Sequence, residues 1–361
     1  MKHMRKFAAI LLTLVLLTAL PLSAAASGTQ VNKTLSFLCY NVAGLPIPSV
    51  FSDTKRVVPE ATKKIGKTLN ECGCDIIAVQ EDFQFHSTLA KQMTNYPYQT
   101  YTSGGVPMGD GLNIYSKYPF YNVERVAWEE AYGIFTQGAD ELAPKGFLKC
   151  TVDANGLLFD FYNIHVDAYG SEIDCKIKEK QFHQLLDYIN VYSAGRAVVI
   201  TGDYNVTLHT DKACDYYGIM IQGGGFSDAW CEVVNGGNYL KGADANSIIS
   251  RYYAEYHNAY WGLWDSVERM LYRSGDLTVT PLTHKFEFFY DENGNALSDH
   301  ASMRVDFKLT AQDYTRPALK LNPVEKENPL ATLLRGIRYF LHSLNLINED
   351  IWNWILYKQF R

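Results

Sequence analysis

The stretch Arg196-Ala197-Val198-Val199-Ile200-Thr201-Gly202-Asp203-Tyr204-Asn205 decides most about the fold. It opens as a short apolar, β-branched run of the kind that forms a buried strand, and it delivers Gly202-Asp203-Tyr204-Asn205 at its tip. Just upstream, Phe182, Leu185, Leu186 and Ile189 recur at helical spacing and predict an amphipathic helix. Before that, residues 157–166 make a long β-rich run with Asn163 and His165 near its end. Further out, residues 35–40 form an apolar run that stops at Asn41. Residues 56–72 predict a helix halted by Gly73, and residues 75–80 a buried strand that exits at Glu81. Residues 111–115 and 121–128 flank the turn Ser116-Lys117-Tyr118-Pro119, and residues 269–272 and 301–309 supply further strands. Hairpins outnumber strict βαβ units, so the pattern predicts two largely antiparallel sheets packed together with helices outside.

The start of the chain predicts export. Lys2, Arg5 and Lys6 precede an apolar run from 7 to 22, and Ala24-Ala25-Ala26 offers small residues for cleavage, so residues 1–26 read as a signal peptide. The run is short of the roughly 20 residues of a membrane span. The expected location is therefore extracellular. About 335 residues remain, enough for one large domain. The net charge of −6 becomes more negative once the leader's cations are gone, which argues mildly against nonspecific nucleic-acid binding. Seven cysteines (39, 72, 74, 150, 175, 214 and 231) leave at least one without a partner in the same chain. Cys72 and Cys74 form a CxC without the second ligand pair of a structural zinc site, and Cys39 reads as a core residue.

At strand end after strand end stands a residue suited to phosphate chemistry: Asn41, Glu81, His165, Asp203 with Asn205, and Asp299 with His300. Carboxylate and amide oxygens hold a hard divalent cation. A histidine accepts a proton from attacking water. Other donors neutralise charge growing on phosphoryl oxygens. Each position alone has a plain alternative: a turn former at Asn41, a strand exit at Glu81, a core histidine at His165, a turn at Asp203 and Asn205, and a strand cap at Ser298-Asp299-His300. Together and in this order they form a specific combination.

The blocks Cys39-Tyr40-Asn41, Val79-Gln80-Glu81, Asn163-Ile164-His165, Gly202-Asp203-Tyr204-Asn205 and Ser298-Asp299-His300 resemble the signature of the endonuclease/exonuclease/phosphatase superfamily. That superfamily includes pancreatic-type deoxyribonucleases, abasic-site endonucleases, inositol-polyphosphate phosphatases and neutral sphingomyelinases. The resemblance runs from about residue 35 to residue 309. It implies an α+β fold, a four-layer α/β/β/α sandwich of the DNase-like type, over a catalytic domain of residues 30–312. It also implies a phosphoric diester hydrolase that uses Mg²⁺ or another divalent cation. In it Glu81 is the principal metal carboxylate, with Asn41 and Asp299 nearby. His300 activates the attacking water, Asp203 and Asn205 orient it and contact the phosphate, and His165 donates to a phosphoryl oxygen. The chain departs from the pattern once: Glu268 stands where an Asp usually fixes the catalytic histidine. Asp265 is the alternative.

The blocks Asn41-Val42-Ala43-Gly44-Leu45-Pro46, Gly109-Asp110-Gly111-Leu112, His165-Val166-Asp167-Ala168, Asp228-Ala229-Trp230 and Leu271-Tyr272-Arg273-Ser274-Gly275 resemble secreted members of the neutral-sphingomyelinase-like branch. That implies a phospholipid head group as substrate. An extracellular nuclease needs Lys and Arg beside the site, and an inositol-polyphosphate phosphatase needs a denser set than Lys145, Lys149 and Arg273. Tyr252, Tyr253, Tyr256, Tyr260, Trp261 and Trp264 form an aromatic stretch suited either to a lipid interface or to a self-packed loop. Residues 325–361 predict an amphipathic helical tail that lies on membrane or packs on its own domain. Gly66-Lys67-Thr68 lacks the upstream glycine of a phosphate-binding loop, and no Gly-x-Ser-x-Gly or HExxH occurs.

Overall fold

Alternation along β1 (Val31–Asn41) sets the layering. Leu35, Phe37 and Cys39 face the main core, whereas Leu38 and Tyr40 face a second cluster with Ala61, Ile65 and Leu69 of α1 (Val58–Glu71) and Leu89 of α2 (His86–Ala90). The computed structural model describes residues 30–44, 58–83, 85–101, 109–133, 145–206, 214–239 and 266–324. The expected leader, the aromatic stretch, Asp265 and the tail lie outside the described residues.

Among the described residues the strands form two six-stranded sheets. In spatial order the first contains β11 (Thr278–Glu287), β12 (Ser302–Ala311), β1, β2 (Ile76–Gln80), β4 (Asn113–Ser116) and β3 (Tyr98–Gln99). The second contains β5 (Phe120–Ala127), β6 (Gly146–Ala154), β7 (Leu157–His165), β8 (Val198–Asp203), β10 (Glu268–Arg273) and β9 (Ser227–Asp228). Every pair is antiparallel except β1 with β2 and β7 with β8. The predicted α+β arrangement of two mainly antiparallel sheets is the one found.

Between the sheets, the Phe37 ring sits 6.0 Å from Phe159 and 5.6 Å from both Phe161 and Phe307. On the outer face of the second sheet lies α3 (Glu172–Tyr192), which buries Phe182, Leu185 and Ile189. Its start is a capping box in which Ser171 and Asp174 each accept from the other's backbone N–H. The helix is therefore fixed where its first turn approaches the loop after β7.

One polar tie crosses the core. Asn163 on β7 donates to the carbonyls of Val79 (2.9 Å) and Asn113 (3.0 Å) in the opposite sheet, and accepts from Gln80 Nε2 at 2.6 Å. All three partners are buried, so Asn163→Leu strands polar groups with no access to water. We expect a loss of about 2–4 kcal/mol, read as a lower urea midpoint with an unchanged slope. A loss below about 0.5 kcal/mol would show that the tie is dispensable.

Four strands were not legible beforehand: the two-residue β3 and β9, and the long β6 and β11. β6 is wholly buried although it carries Lys149, and β11 contains Pro281 beside a register shift. Beyond residue 312 the chain returns to the second sheet. Tyr314 Oη accepts from Leu158 N at 2.9 Å, Arg316 pairs with Asp153 at 2.7 Å, and Asn322 accepts from Asn122 N at 2.9 Å. All seven cysteines are free thiols, and Cys39 is fully buried as expected. Among the described residues, no helix is long and apolar enough to cross a membrane.

Candidate active site

The two parallel strand pairs end at the same edge of the sandwich. Register places Asn41 beside Gln80 in one sheet, and His165, Asp203 and Glu268 side by side in the other. Glu81 follows β2 directly, and Ser298-Asp299-His300 immediately precedes β12. The sequence-predicted residues therefore converge from both sheets, although the chain separates Asn41 from His300 by most of its length.

Asn41 bridges the sheets. Its Nδ2 donates to Glu81 Oε1 and to Asp203 Oδ2, both at 3.1 Å, while its Oδ1 accepts from Ala43 N at 3.0 Å. In this orientation Asn41 offers the acidic centre an NH₂ group. Ligation through its oxygen requires the amide to turn over and give up Ala43.

Backbone strain gathers at these loops. Ala43, Glu81 and Asn205 have φ values of 44°, 55° and 49°, in a region that non-glycine residues seldom occupy. Close backbone approach explains two glycines of the motifs. A Cβ on Gly202 would stand 2.0 Å from Ile164 O, and one on Gly44 would stand 2.4 Å from Glu81 O. Gly44 N also donates to Glu81 O at 3.0 Å, which helps hold the carboxylate in place.

His300 is oriented by Glu268. Its Nδ1 lies 2.5 Å from Glu268 Oε1, leaving Nε2 directed at the centre, 3.9 Å from Asp203 Oδ2 and from Asp299 Oδ1. Glu268 is itself held by Ser266, whose Oγ donates to Oε2 at 2.6 Å and accepts from Glu268 N at 3.2 Å. The substitution of Glu for the usual Asp is thus accommodated with both carboxylate oxygens engaged. Burial opposes protonation of His300, but Glu268, Asp203 and Asp299 outweigh it and raise the imidazole pKa.

His165 behaves differently. Burial, reinforced by Lys145 and His300, keeps its pKa well below the usual range, so it is neutral near pH 7. Its Nε2 lies 3.6 Å from Asp203 Oδ2, and its buried Nδ1 has no hydrogen-bond partner among the described residues. An unsatisfied ring nitrogen at such a point suits a group that meets a ligand.

Asp203, Glu268 and His300 offer ligand atoms within 4.8 Å of one another. This trio is a poor cation cage, because Glu268 is already bonded to His300 and Ser266. Glu81 and Asp299 are better placed. Burial raises the Glu81 pKa, Asp299 raises it further, and His300 and Lys145 pull it back. Two acids that repel each other beside a buried edge are what a divalent cation relieves, and their oxygens match a hard metal. The donor set fits such an ion.

Several supporting residues escaped the motif reading. Lys145, just before β6 and buried, faces Glu81, His165 and Asp203 electrostatically and reaches the Val166 carbonyl at 3.5 Å. Buried Lys178 of α3 donates to the carbonyls of Asn205 (2.7 Å) and Tyr169, pinning two site loops together. Asn205 Nδ2 donates to Val166 O at 2.9 Å, so part of this amide fixes the loop after His165. Ser298 Oγ donates to Asn41 O at 2.6 Å and accepts from His300 N at 3.2 Å. Spacing gave no cue to either: Lys145, set among apolar residues, carried a signal, whereas Lys178 stands among Lys176, Glu179 and Lys180 and carried none. Other blocks turn out to be structural. Asp110 pairs with Arg125 at 2.6 Å, Asp167 accepts from Tyr132 N at 2.9 Å, and Asp228 caps the short helix α4 (Ala229–Val233).

The fold is of the endonuclease/exonuclease/phosphatase type, as the motifs implied. The chain is 29% identical over 296 residues to the sphingomyelinase of Mycobacterium tuberculosis (strain ATCC 25618 / H37Rv), an alignment covering 78% of this chain and 54% of the relative. The chain thus spans about half the length of the curated relatives it matches. Among solved structures, sphingomyelinase C from Streptomyces griseocarneus superposes with a TM-score of 0.52 at 18% identity, covering 76% of this chain and 99% of that one. TDP2 from D. rerio, complexed with a single-strand DNA product, gives 0.54 at 16% identity over 76% and 99%. A Staphylococcus aureus beta toxin variant with bound magnesium ions gives 0.51 at 19% identity over 76% and 99%. No family model matches the chain.

Proposed function

We propose that this chain is a secreted, Mg²⁺-dependent phosphodiesterase that hydrolyses a phospholipid head group of the sphingomyelin type. The observation that carries the reading is the meeting at Asp203, where Asn41, His165 and His300 from separate strand ends reach one carboxylate. The similarity to the mycobacterial sphingomyelinase supports the substrate class. The export expectation rests on residues 1–26.

Glu81 and Asp299 would hold the cation, with Asn41 joining if its amide turns. When bound, the ion polarises a phosphoryl oxygen and offsets charge in the transition state. Once the pH exceeds the raised pKa of His300 and the ring is neutral, Glu268 keeps its remaining proton on Nδ1, so Nε2 is left to accept a proton from water. Asp203 orients that water from the other side. The water oxygen attacks phosphorus in line, the bond to the lipid oxygen breaks, and the leaving oxygen takes a proton from solvent to depart as the alcohol. Neutral His165 donates to a phosphoryl oxygen, and Lys145 adds positive charge beside it.

The test is a substrate panel of sphingomyelin vesicles, plasmid DNA and an inositol polyphosphate, each with Mg²⁺ and with EDTA. We expect sphingomyelin hydrolysis with Mg²⁺ and loss of at least about a hundredfold in EDTA. Cleavage of DNA without lipid hydrolysis would replace the substrate with a nucleic acid. Activity that survives EDTA would remove the metal from the account.

A further inference from the structure

The junction between α1 and β2, at the end of β2 remote from Glu81, carries Cys72-Gly73-Cys74. Gly73 has φ +78°, a left-handed conformation that glycine adopts without a steric penalty. The resulting turn brings Cys74 N within 3.5 Å of Cys72 Sγ, to which it donates. Tyr96 closes the third side: its hydroxyl lies 3.5 Å from Cys72 Sγ, 3.0 Å from Cys74 O and 3.4 Å from Leu69 O. Two cations brace the same turn. Arg304 donates to Cys72 O at 3.2 Å and Lys117 to Gly73 O at 2.7 Å.

The two sulfurs are not equivalent. Cys72 is half-exposed and Cys74 is buried. The neighbouring Cys74 thiol, with the Tyr96 hydroxyl and the Cys74 N–H that reach its sulfur and with Arg304 nearby, draws the Cys72 thiol below its ordinary range against the effect of burial. Its counterpart is driven up, first by the Cys72 side chain and then by burial. A solvent-reachable thiolate beside a protonated thiol is the arrangement of an attacking and a resolving cysteine. The other five cysteines are all buried.

We propose that Cys72 and Cys74 form a thiol–disulfide exchange site that reacts with low-molecular-weight disulfides of the glutathione class. The Cys72 thiolate attacks one sulfur of the reagent; a Cys72–S–SR bond forms, the reagent's S–S bond breaks, and one thiolate leaves. Cys74 then loses its proton and attacks Cys72 Sγ, forming Cys72–Cys74 and releasing the second thiolate. The pair gives up two electrons, and the reagent disulfide takes them to become two thiols.

The full chain in its native state is incubated with mixtures of reduced and oxidised glutathione, quenched with acid, alkylated and peptide-mapped. We expect the peptide holding both residues to become two hydrogens lighter, and Cys74→Ser to retain one glutathionyl group on Cys72 instead. Before oxidation, native Cys72 should alkylate at least about tenfold faster than Cys39 or Cys150 at pH 7. The last measurement needs no variant, so a poorly folding Cys74→Ser leaves it decisive. The proposal is overturned if Cys72 alkylates no faster than the buried thiols. It is also overturned if both residues stay reduced across the series, or if a folded Cys74→Ser carries no adduct at Cys72.

Discussion

His300→Ala is expected to lower turnover by about 10³-fold, within the range that loss of a positioned general base produces, with little effect on the fold. The side chain lies at the edge of the sandwich with 20% of its surface exposed, so its removal opens no void in the core. The substitution deletes the group whose Nε2 is aimed at the centre and leaves Glu81 and Asp299 in place. Turnover should therefore fall while cation binding persists. Rates on sphingomyelin vesicles at saturating Mg²⁺, with circular dichroism as the check on folding, give the answer. A variant within about threefold of the parent would show that His300 is not the base.

Glu268→Gln should cost about 10²–10⁴-fold for a different reason. A carboxylate 2.5 Å from Nδ1 accepts the ring proton and so reserves Nε2 for the water. An amide can present its NH₂ there, which forces Nδ1 to accept and moves the proton to Nε2. The base is then in the wrong tautomer. Loss of a negative charge also lowers the His300 pKa, so the acid limb of the kcat/KM profile should move to lower pH as the maximum falls. Glu268→Asp restores charge but is one methylene too short for a backbone held by Ser266 and by pairing with Asp203. It should recover only part of the rate. An unchanged pH profile in Glu268→Gln would mean that this carboxylate does not govern the histidine.

The sequence showed the strands best where both faces are buried. β2 and β8 are largely apolar and wholly buried, with a carboxylate just beyond the first and at the end of the second, and that abrupt change marked Glu81 and Asp203. β6 hid because Lys149 interrupts its apolar pattern, yet that lysine is buried and lies 3.7 Å from Glu124 on the neighbouring strand. β11 hid because it is an edge strand with a solvent-facing side, where Pro281 and polar residues are tolerated.

The same contrast holds at the site. Asn41, Glu81, His165, Asp203, Asp299 and His300 lie in local blocks that a sequence displays, and the structure draws them together. Glu268 was found through a strand resembling the expected one, but the partner that steadies it, Ser266, became visible only in the contact between the two side chains. Lys145 and Lys178 act through carbonyls and charges of distant loops, a dependence that no spacing encodes. The Asn41 amide orientation is likewise set by contacts, with Ala43 on one side and two carboxylates on the other.

Titration calorimetry with Mg²⁺ tests the central claim most directly, comparing the parent chain with Glu81→Gln and with Glu268→Gln. A cation seated on Glu81 and Asp299 should bind once per chain, weaken at least about tenfold in Glu81→Gln and change little in Glu268→Gln. Binding that ignores Glu81 but collapses with Glu268 would put the ion among Asp203, Glu268 and His300 and contradict the assignment of the base.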